Sequence, residues 1–422
     1  MRWLLIGYMF LFIDRPFEVW PWLGDLRIER VYMLFIMGVW VVYPNKRFLP
    51  NVQHGAYFAF GTAVLLAWAI SPWSAYGQPV VEDWLKIVVF YVLLVTCIHD
   101  EEGLKHVAVG FLAVMGLYLL HSFREYLAGR HTYRMGLARM IGVDTTLGDP
   151  NSFGASIVFA LPIVVALWKA DIGGKRGRVL LTGYVGLSSL CILLTGSRSS
   201  LLGLLVWFTV IIWGTKYRFT ALVGFAAMAP VAFVALPESL QTRFETIVNP
   251  DAGPANAKES GEGRIQGFLT GLDLWAANPL TGVGPGAWRP ATGSNIESHN
   301  LPGQLVGELG TLGLLAFLAV LAGFAVNGLR MRAIRRDHPE WSNHLIFQVS
   351  SATLVGVVLL LFMGNFGHNL FRFSWLWYGG FVIIAQHCVL RRVATWEPEN
   401  DEEWQEEEEV PDGWVMHSAH TV

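Results

Sequence analysis

Three side chains define the chemistry this chain could do. Arg198 stands in LLTGSRSSLLGLL, Arg264 in GEGRIQGFLTGLDLW and His299 in ESHNLPGQLVGELGTLGLL. Arginine presents a rigid fork of donors that grips phosphate oxygens two at a time. Histidine, with an ordinary pKa of about 6.5, can take a proton near neutral pH. Arg198 lies between two apolar runs joined by almost no loop. A charge exposed to lipid there costs ~2.5 kcal/mol or more, so a cavity or a partner is expected. Its neighbours Thr195, Gly196, Ser197, Ser199 and Ser200 are small and polar and leave room for a ligand. Capping of two helix ends is the competing explanation, but capping does not require arginine. Taken alone, His299 reads as a structural residue at a helix mouth.

Further candidates flank these three. DPNSFG (149–154) heads an apolar run, and Asp149 or Asn151 could cap it. Ser298 or Asn300 could cap the run after His299, with Pro302 in its first turn. Gly303, Gly307 and Gly310 give that run a small-residue face, and Gln304 and Glu308, four apart, share another. Glu308 could orient His299 only if the helix entrance unwinds. NFGHNLFR (365–372) carries His368 and Arg372. Arg124, Arg130, Arg243 and Arg289 read as interfacial or carboxylate-paired residues. TGVGPGAW (281–288) promises tight turns and exposed backbone amides. It lacks the GK[ST] ending of a P-loop. No close ligand spacing such as HExxH occurs. Cys97, Cys191 and Cys388 each sit inside an apolar block, so neither a disulfide nor a metal site is expected.

The elements that must hold these residues are read from composition. The 422 residues are 53% hydrophobic and 15% charged, with a net charge of −3. That balance fits a polytopic membrane protein, with nothing that points to nucleic acid. Apolar blocks long enough to cross about 30 Å of hydrocarbon fall near 3–20, 28–43, 55–71, 82–98, 104–121, 151–168, 179–196, 199–214, 219–236, 301–327, 344–364 and 373–390. Twelve helical spans are therefore expected, with the first read as a membrane segment and not a cleaved signal. The alternating short strands of a membrane barrel are missing. Basic loops at 45–47, 169–178, 216–218, 330–336 and 391–392 then fall on one side with the N-terminus. The positive-inside rule makes that side cytoplasmic. The candidate residues collect on the other side, in the 122–150 loop, the 195–200 turn, the long 237–300 loop and 364–372. We divide the chain into N-terminal helices (1–122), a core (123–392) and an acidic tail (393–422) expected to be disordered in the cytoplasm.

The order of these motifs resembles the O-antigen ligase family, which includes O-antigen polymerases and bacterial protein O-oligosaccharyltransferases. The resemblance rests on DPNSFG, TGSRSS after an apolar span, a GR-led loop helix running to NPLTGVGPGAW, and SHNLPGQLVGELGTLGLL. It covers roughly residues 130–390. It implies an all-α polytopic glycosyltransferase of the C type, with a periplasmic loop carrying short helices. The implied donor is a glycan on undecaprenyl pyrophosphate at the periplasmic face of the bacterial inner membrane. The acceptor would be lipid A-core or another hydroxyl, amid membrane lipids, with no metal or nucleotide cofactor. The family's two pyrophosphate-handling arginines map onto Arg198 and Arg264, and its catalytic histidine onto His299. Arg372, His368, Arg134, Asp149, Asn151 and Asn300 are taken as substrate-binding candidates. Polymerisation and transfer to protein stay open beside ligation. A transporter of lipid-linked sugars would place charges mid-span along a path, whereas here they gather at one face.

Overall fold

The computed structural model describes residues 1–134, 137–144, 148–249, 256–294 and 297–395. The acidic run of the tail, with its expected disorder, lies outside them. The chain opens with α1 (Arg2–Ile13), α2 (Pro16–Val19), α3 (Pro21–Asp25), α4 (Ile28–Val42), α5 (Val52–Ile70), α6 (Ser74–Cys97) and α7 (Glu101–Leu127). The hairpin β1 (His131–Arg134) and β2 (Leu137–Met140) follows. Then come α8 (Pro150–Lys169), α9 (Gly174–Thr195), α10 (Arg198–Trp213), α11 (Arg218–Val234), α12 (Glu238–Glu245) and α13 (Asn256–Ala277). The last elements are α14 (Trp288–Thr292), α15 (Leu301–Asp337), α16 (Leu345–Gly364) and α17 (Ser374–Thr395).

Each apolar block forms a helix, but the expected twelve spans are not all matched in length. Among the described residues, α7, α8, α9, α15 and α16 are long and apolar enough to cross a membrane. α1, α4, α10 and α11 are shorter than 18 residues, and α6 carries Glu82, Asp83 and Lys86. The block 3–20 is broken: α1 stops at Ile13, and Arg15 takes a left-handed backbone (φ 48°) before α2. The antiparallel hairpin, with Thr132 opposite Arg139, adds a small strand element to a fold expected to be all-α. Large apolar side chains remain exposed on many helices, among them Val42, Phe58, Leu180, Val223 and Leu315. Such surface is unfavourable in water and natural in lipid. The protein is a multi-pass membrane protein.

The core is aromatic. Trp377 of α17 is buried among Phe12, Phe90, Phe111 and Phe373, with ring centroids 4.5–6.1 Å away. The three cysteines are free and buried. Contacts sort the connections into two ends. At one, Glu101 meets His344 and Arg392, and Arg2 meets Glu102. At the other, Ser71 binds the carbonyl of Val283, and Arg139 joins the hairpin to the end of α9 and the start of α8.

α15 is bent where the sequence suggested one continuous mount. Gly310 has φ 61° and ψ −157°, a conformation open essentially to glycine. The bend leaves backbone groups that a regular helix would pair internally. The chain 279–284 takes them up. Thr311 N donates to Pro279 O and Leu312 N to Leu280 O, while Gly307 O and Glu308 O accept from Val283 N and Gly284 N. Gly282, at φ 63°, allows this approach, since a Cβ there would stand 2.5 Å from Gly307 O. The expected exposed amides of TGVGPGAW are in this respect a correction: Val283 and Gly284 bond α15, and Gly286 N bonds the Glu308 carboxylate at 3.2 Å. The small-residue face of α15 packs on α13, where a Cβ on Gly303 would stand 2.7 Å from Gly267 O.

Candidate active site

The ends of α8, α10, α13, α15 and α16 converge at the Val283 end of the bundle. Asp149 caps α8, accepting from Asn151 N and Ser152 N. Asn300 caps α15, accepting from Gly303 N at 2.9 Å. Ser197 caps α10, accepting from Ser200 N. That cap sets Arg198 as the first residue of α10, with Nη1 donating to Thr246 Oγ1 at 3.1 Å. Arg264, on α13, reaches over the Phe366 ring just beyond α16, 5.1 Å from its centroid. Among the described residues no carboxylate pairs with Arg264. Burial, then the charge of Arg198, push its pKa down to about 10. The two arginines therefore feel each other, and a negative charge between them would relieve their repulsion.

His299 lies between α13 and the turn after α16. Its ring is 4.4 Å from that of His368, centroid to centroid. Removal from bulk water, then His368 and Arg264, push its pKa down to about 4, against weaker opposition from Glu297 and Asp149. The imidazole is neutral at pH 7 and so is a proton acceptor. Among the described residues no hydrogen bond holds its ring nitrogens. Glu308 does not orient it: that carboxylate is buried and accepts from Gly286 N and from Gln304 Nε2 at 3.3 Å.

A cavity of about 360 Å³ opens beside this pair. Asp149, Asn151, Ser199, His299, His368 and Arg372 contribute to its wall. Burial pushes the pKa of His368 down, and its Nε2 stands 3.5 Å from Glu297, which also pairs with Arg289 at 3.1 Å. Arg372 is buried; Nη1 donates to Ser156 Oγ at 2.8 Å and Nη2 to Ser152 O at 3.0 Å.

The sequence-derived candidates thus divide. His299, His368, Arg372, Asp149 and Asn151 share one cavity; Arg264 lies over the Phe366 ring of its wall, and Arg198 precedes Ser199, which also lines it. Asn300 turns its side-chain oxygen to its own helix and is absent from the cavity wall. Asn151 accepts from Arg139 Nη2 at 3.0 Å. Arg134 belongs to β1, and its side chain lies outside the described residues. Arg124 and Arg289 pair with Glu125 and Glu297, as their reading required, whereas Arg130 and Arg243 donate to the backbone carbonyls of Val143 and Gly196. Glu297 and Phe366 are the members sequence reasoning missed. Both neighbour a recognised residue in sequence, Glu297 two before His299 and Phe366 two before His368, and that adjacency was the available signal. Among the described residues no three His, Cys, Asp or Glu side chains converge as a metal-ligand set.

Residues 183–318 match the family model of the O-antigen ligases. The chain carries an O-antigen ligase domain. The match runs from within α9 to the first half of α15 and so contains Arg198, Arg264 and His299. It is shorter than the 130–390 over which the motifs read, and the Arg372 and His368 side of the site lies beyond it. No curated protein matches the chain. For an O-antigen ligase domain the general activity is glycan transfer from a lipid-linked donor to an acceptor.

Proposed function

We propose that this protein transfers a glycan from a polyprenyl-pyrophosphate donor, undecaprenyl pyrophosphate in bacteria, to an acceptor hydroxyl, by a single inverting displacement without metal. The observation that carries the reading is one cavity walled by His299, with Arg264 over the Phe366 ring of its wall and Arg198 next in sequence to its Ser199. In this reaction the acceptor oxygen bonds to the sugar C1 as the bond from C1 to the phosphate oxygen breaks. The bonding pair leaves with the pyrophosphate, which gains one negative charge, and the acceptor proton passes to His299. The two guanidinium groups stabilise the charge as it develops. Attack from the face opposite the leaving group inverts the anomeric centre.

The basic loops at the opposite end support twelve passes with both termini cytoplasmic and this cavity on the periplasmic side of the inner membrane. The test is transfer by purified protein in liposomes, with an undecaprenyl-pyrophosphate-linked glycan and lipid A-core as the acceptor. His299→Ala should lose at least about a hundredfold in rate while still binding undecaprenyl pyrophosphate. Full activity in that variant would end the proton-acceptor role. Products lengthened on the polyprenyl carrier in place of glycosylated lipid A-core would assign polymerisation.

A further inference from the structure

Leading away from the His368 side of the site are three further cavities, each sharing its wall with the last. The first, about 250 Å³, shares Glu297, His368 and Arg372 with the catalytic cavity. The second, about 400 Å³, shares Arg15 and Asp83 with the first. The third, about 350 Å³, lies between α4 and α6 and shares Glu29, Arg30 and Lys86 with the second. The break after α1 makes this junction: Arg15, in its left-handed conformation, is buried, 2.5 Å from Glu18 and 5.7 Å from the Phe17 centroid.

The chemistry changes along this path. Three side chains of the first cavity, Gln304, His368 and Arg372, each hold a buried polar atom (Oε1, Nδ1 and Nε) with no partner among the described residues. Such atoms are costly to leave unpaired and point to a polar ligand. In the second cavity Lys86 lies 2.8 Å from Asp83 and 3.3 Å from Glu29, and Arg30 lies 3.6 Å from Glu82. Of the cations lining it only Arg27 lacks a carboxylate partner among the described residues, and the paired ones offer little to a pyrophosphate. They suit hydroxyl groups, which donate to the carboxylates and accept from the cations. The third cavity is lined largely by apolar groups of Met33, Leu34, Leu85 and Val89, with Leu34 66% exposed. It suits a hydrocarbon chain.

We propose that this string of cavities is the acceptor site, and that the acceptor is a saccharide carried on a lipid. Its chain lies in the α4–α6 groove. Its sugars occupy the Glu29 and Asp83 cavity, and its reactive hydroxyl passes Gln304 and Arg372 to reach His299. The inference rests on the transferase reading and adds to it the side from which the acceptor approaches and the residues that hold it. The donor pyrophosphate is left to Arg198 and Arg264.

The test uses the full-length protein in phospholipid nanodiscs and an alkyl glucoside with a diazirine in its chain. Photolysis and peptide mapping should place the label within 28–42 and 82–89. Excess dodecyl maltoside should compete, and undecaprenyl pyrophosphate should not. The pair Glu29→Gln with Asp83→Asn should cut labelling about tenfold. Since that pair supports Lys86 and could harm folding, Leu34→Trp is the second variant. It fills the groove from an exposed position and should cut labelling by a similar factor with an unchanged melting temperature. Label spread evenly over all lipid-facing helices, competition by undecaprenyl pyrophosphate, or undiminished labelling of Leu34→Trp would each overturn the acceptor assignment. So would transfer to a protein acceptor that Leu34→Trp leaves at full rate. Failure of the underlying reading shows separately, as undecaprenyl pyrophosphate binding that Arg264→Ala does not weaken.

Discussion

If His299 takes the acceptor proton, activity should persist into acid where an ordinary histidine enzyme fades. An imidazole of pKa 6.5 is only about 10% neutral at pH 5.5, whereas one near 4 is about 97% neutral. The sign follows from the neighbours: a low-dielectric setting, His368 and Arg264 all disfavour the protonated ring. His299 opens onto the cavity, where water screens part of the effect, and its apparent pKa is expected well below 6.5. The profile of kcat/KM reports the free enzyme, and that of kcat the donor complex. A bound pyrophosphate offsets Arg264 and attracts the imidazolium. One negative charge at about 6 Å in an effective dielectric of ~20 is worth ~3 kcal/mol, or about two pH units. The acid limb of kcat should therefore lie roughly two units above that of kcat/KM. Radiolabelled glycan transfer in liposomes between pH 4 and 8 measures both. A kcat/KM midpoint at or above 6.5 would refute the environment assigned to His299. Two coincident limbs would refute the placement of the pyrophosphate beside it.

Other residues give sharper structural tests. Arg264→Lys and Arg198→Lys keep a charge but lose the fork, and each should lower transfer about ten- to hundredfold; near-normal rates would mean that a point charge suffices. Gly310→Ala must place a Cβ 2.5 Å from Leu280 O at φ 61°, and should cost about 3 kcal/mol, visible as a lower melting temperature in detergent. Glu308→Ala leaves the Gly286 N–H and the Gln304 amide without their acceptor. A loss of about 2 kcal/mol in stability is expected, with the acid limb of kcat/KM unmoved, because Glu308 does not touch His299.

What the sequence showed was what local rules govern. Asp149, Ser197 and Asn300 cap their helices because a short polar side chain before an apolar run has few other uses. The small-residue face on α15 was legible from spacing alone. The bend at Gly310 was not, since GELGTLGLL reads as continuous helix and the partners that repair it, Pro279, Leu280, Val283 and Gly284, lie some thirty residues back. Nor was the division among the arginines. Arg139 and Arg372 look in sequence like Arg264, yet Arg139 binds Thr195 O and Asn151, and Arg372 is fastened to α8. Which arginine has its donors engaged by the protein is a property of packing.

The bend also explains why His299 and Glu308, so close in sequence, do different work. α15 must carry His299 at the bundle end and continue as an apolar span through Asp337. A straight helix would tie the direction of its first turns to that of the span. At Gly310 the two are uncoupled, and the exchanged bonds to 279–284 fix the angle between them. Glu308 reinforces this joint by holding Gly286 of the same loop. The carboxylate thus holds to α15 the loop that follows α13, and α13 carries Arg264. By this route Glu308 is expected to align Arg264 with His299 without contact with either. In a Glu308→Ala variant the rate should fall while the pKa of His299 stays, which separates a residue that aligns the site from one that ionises in it.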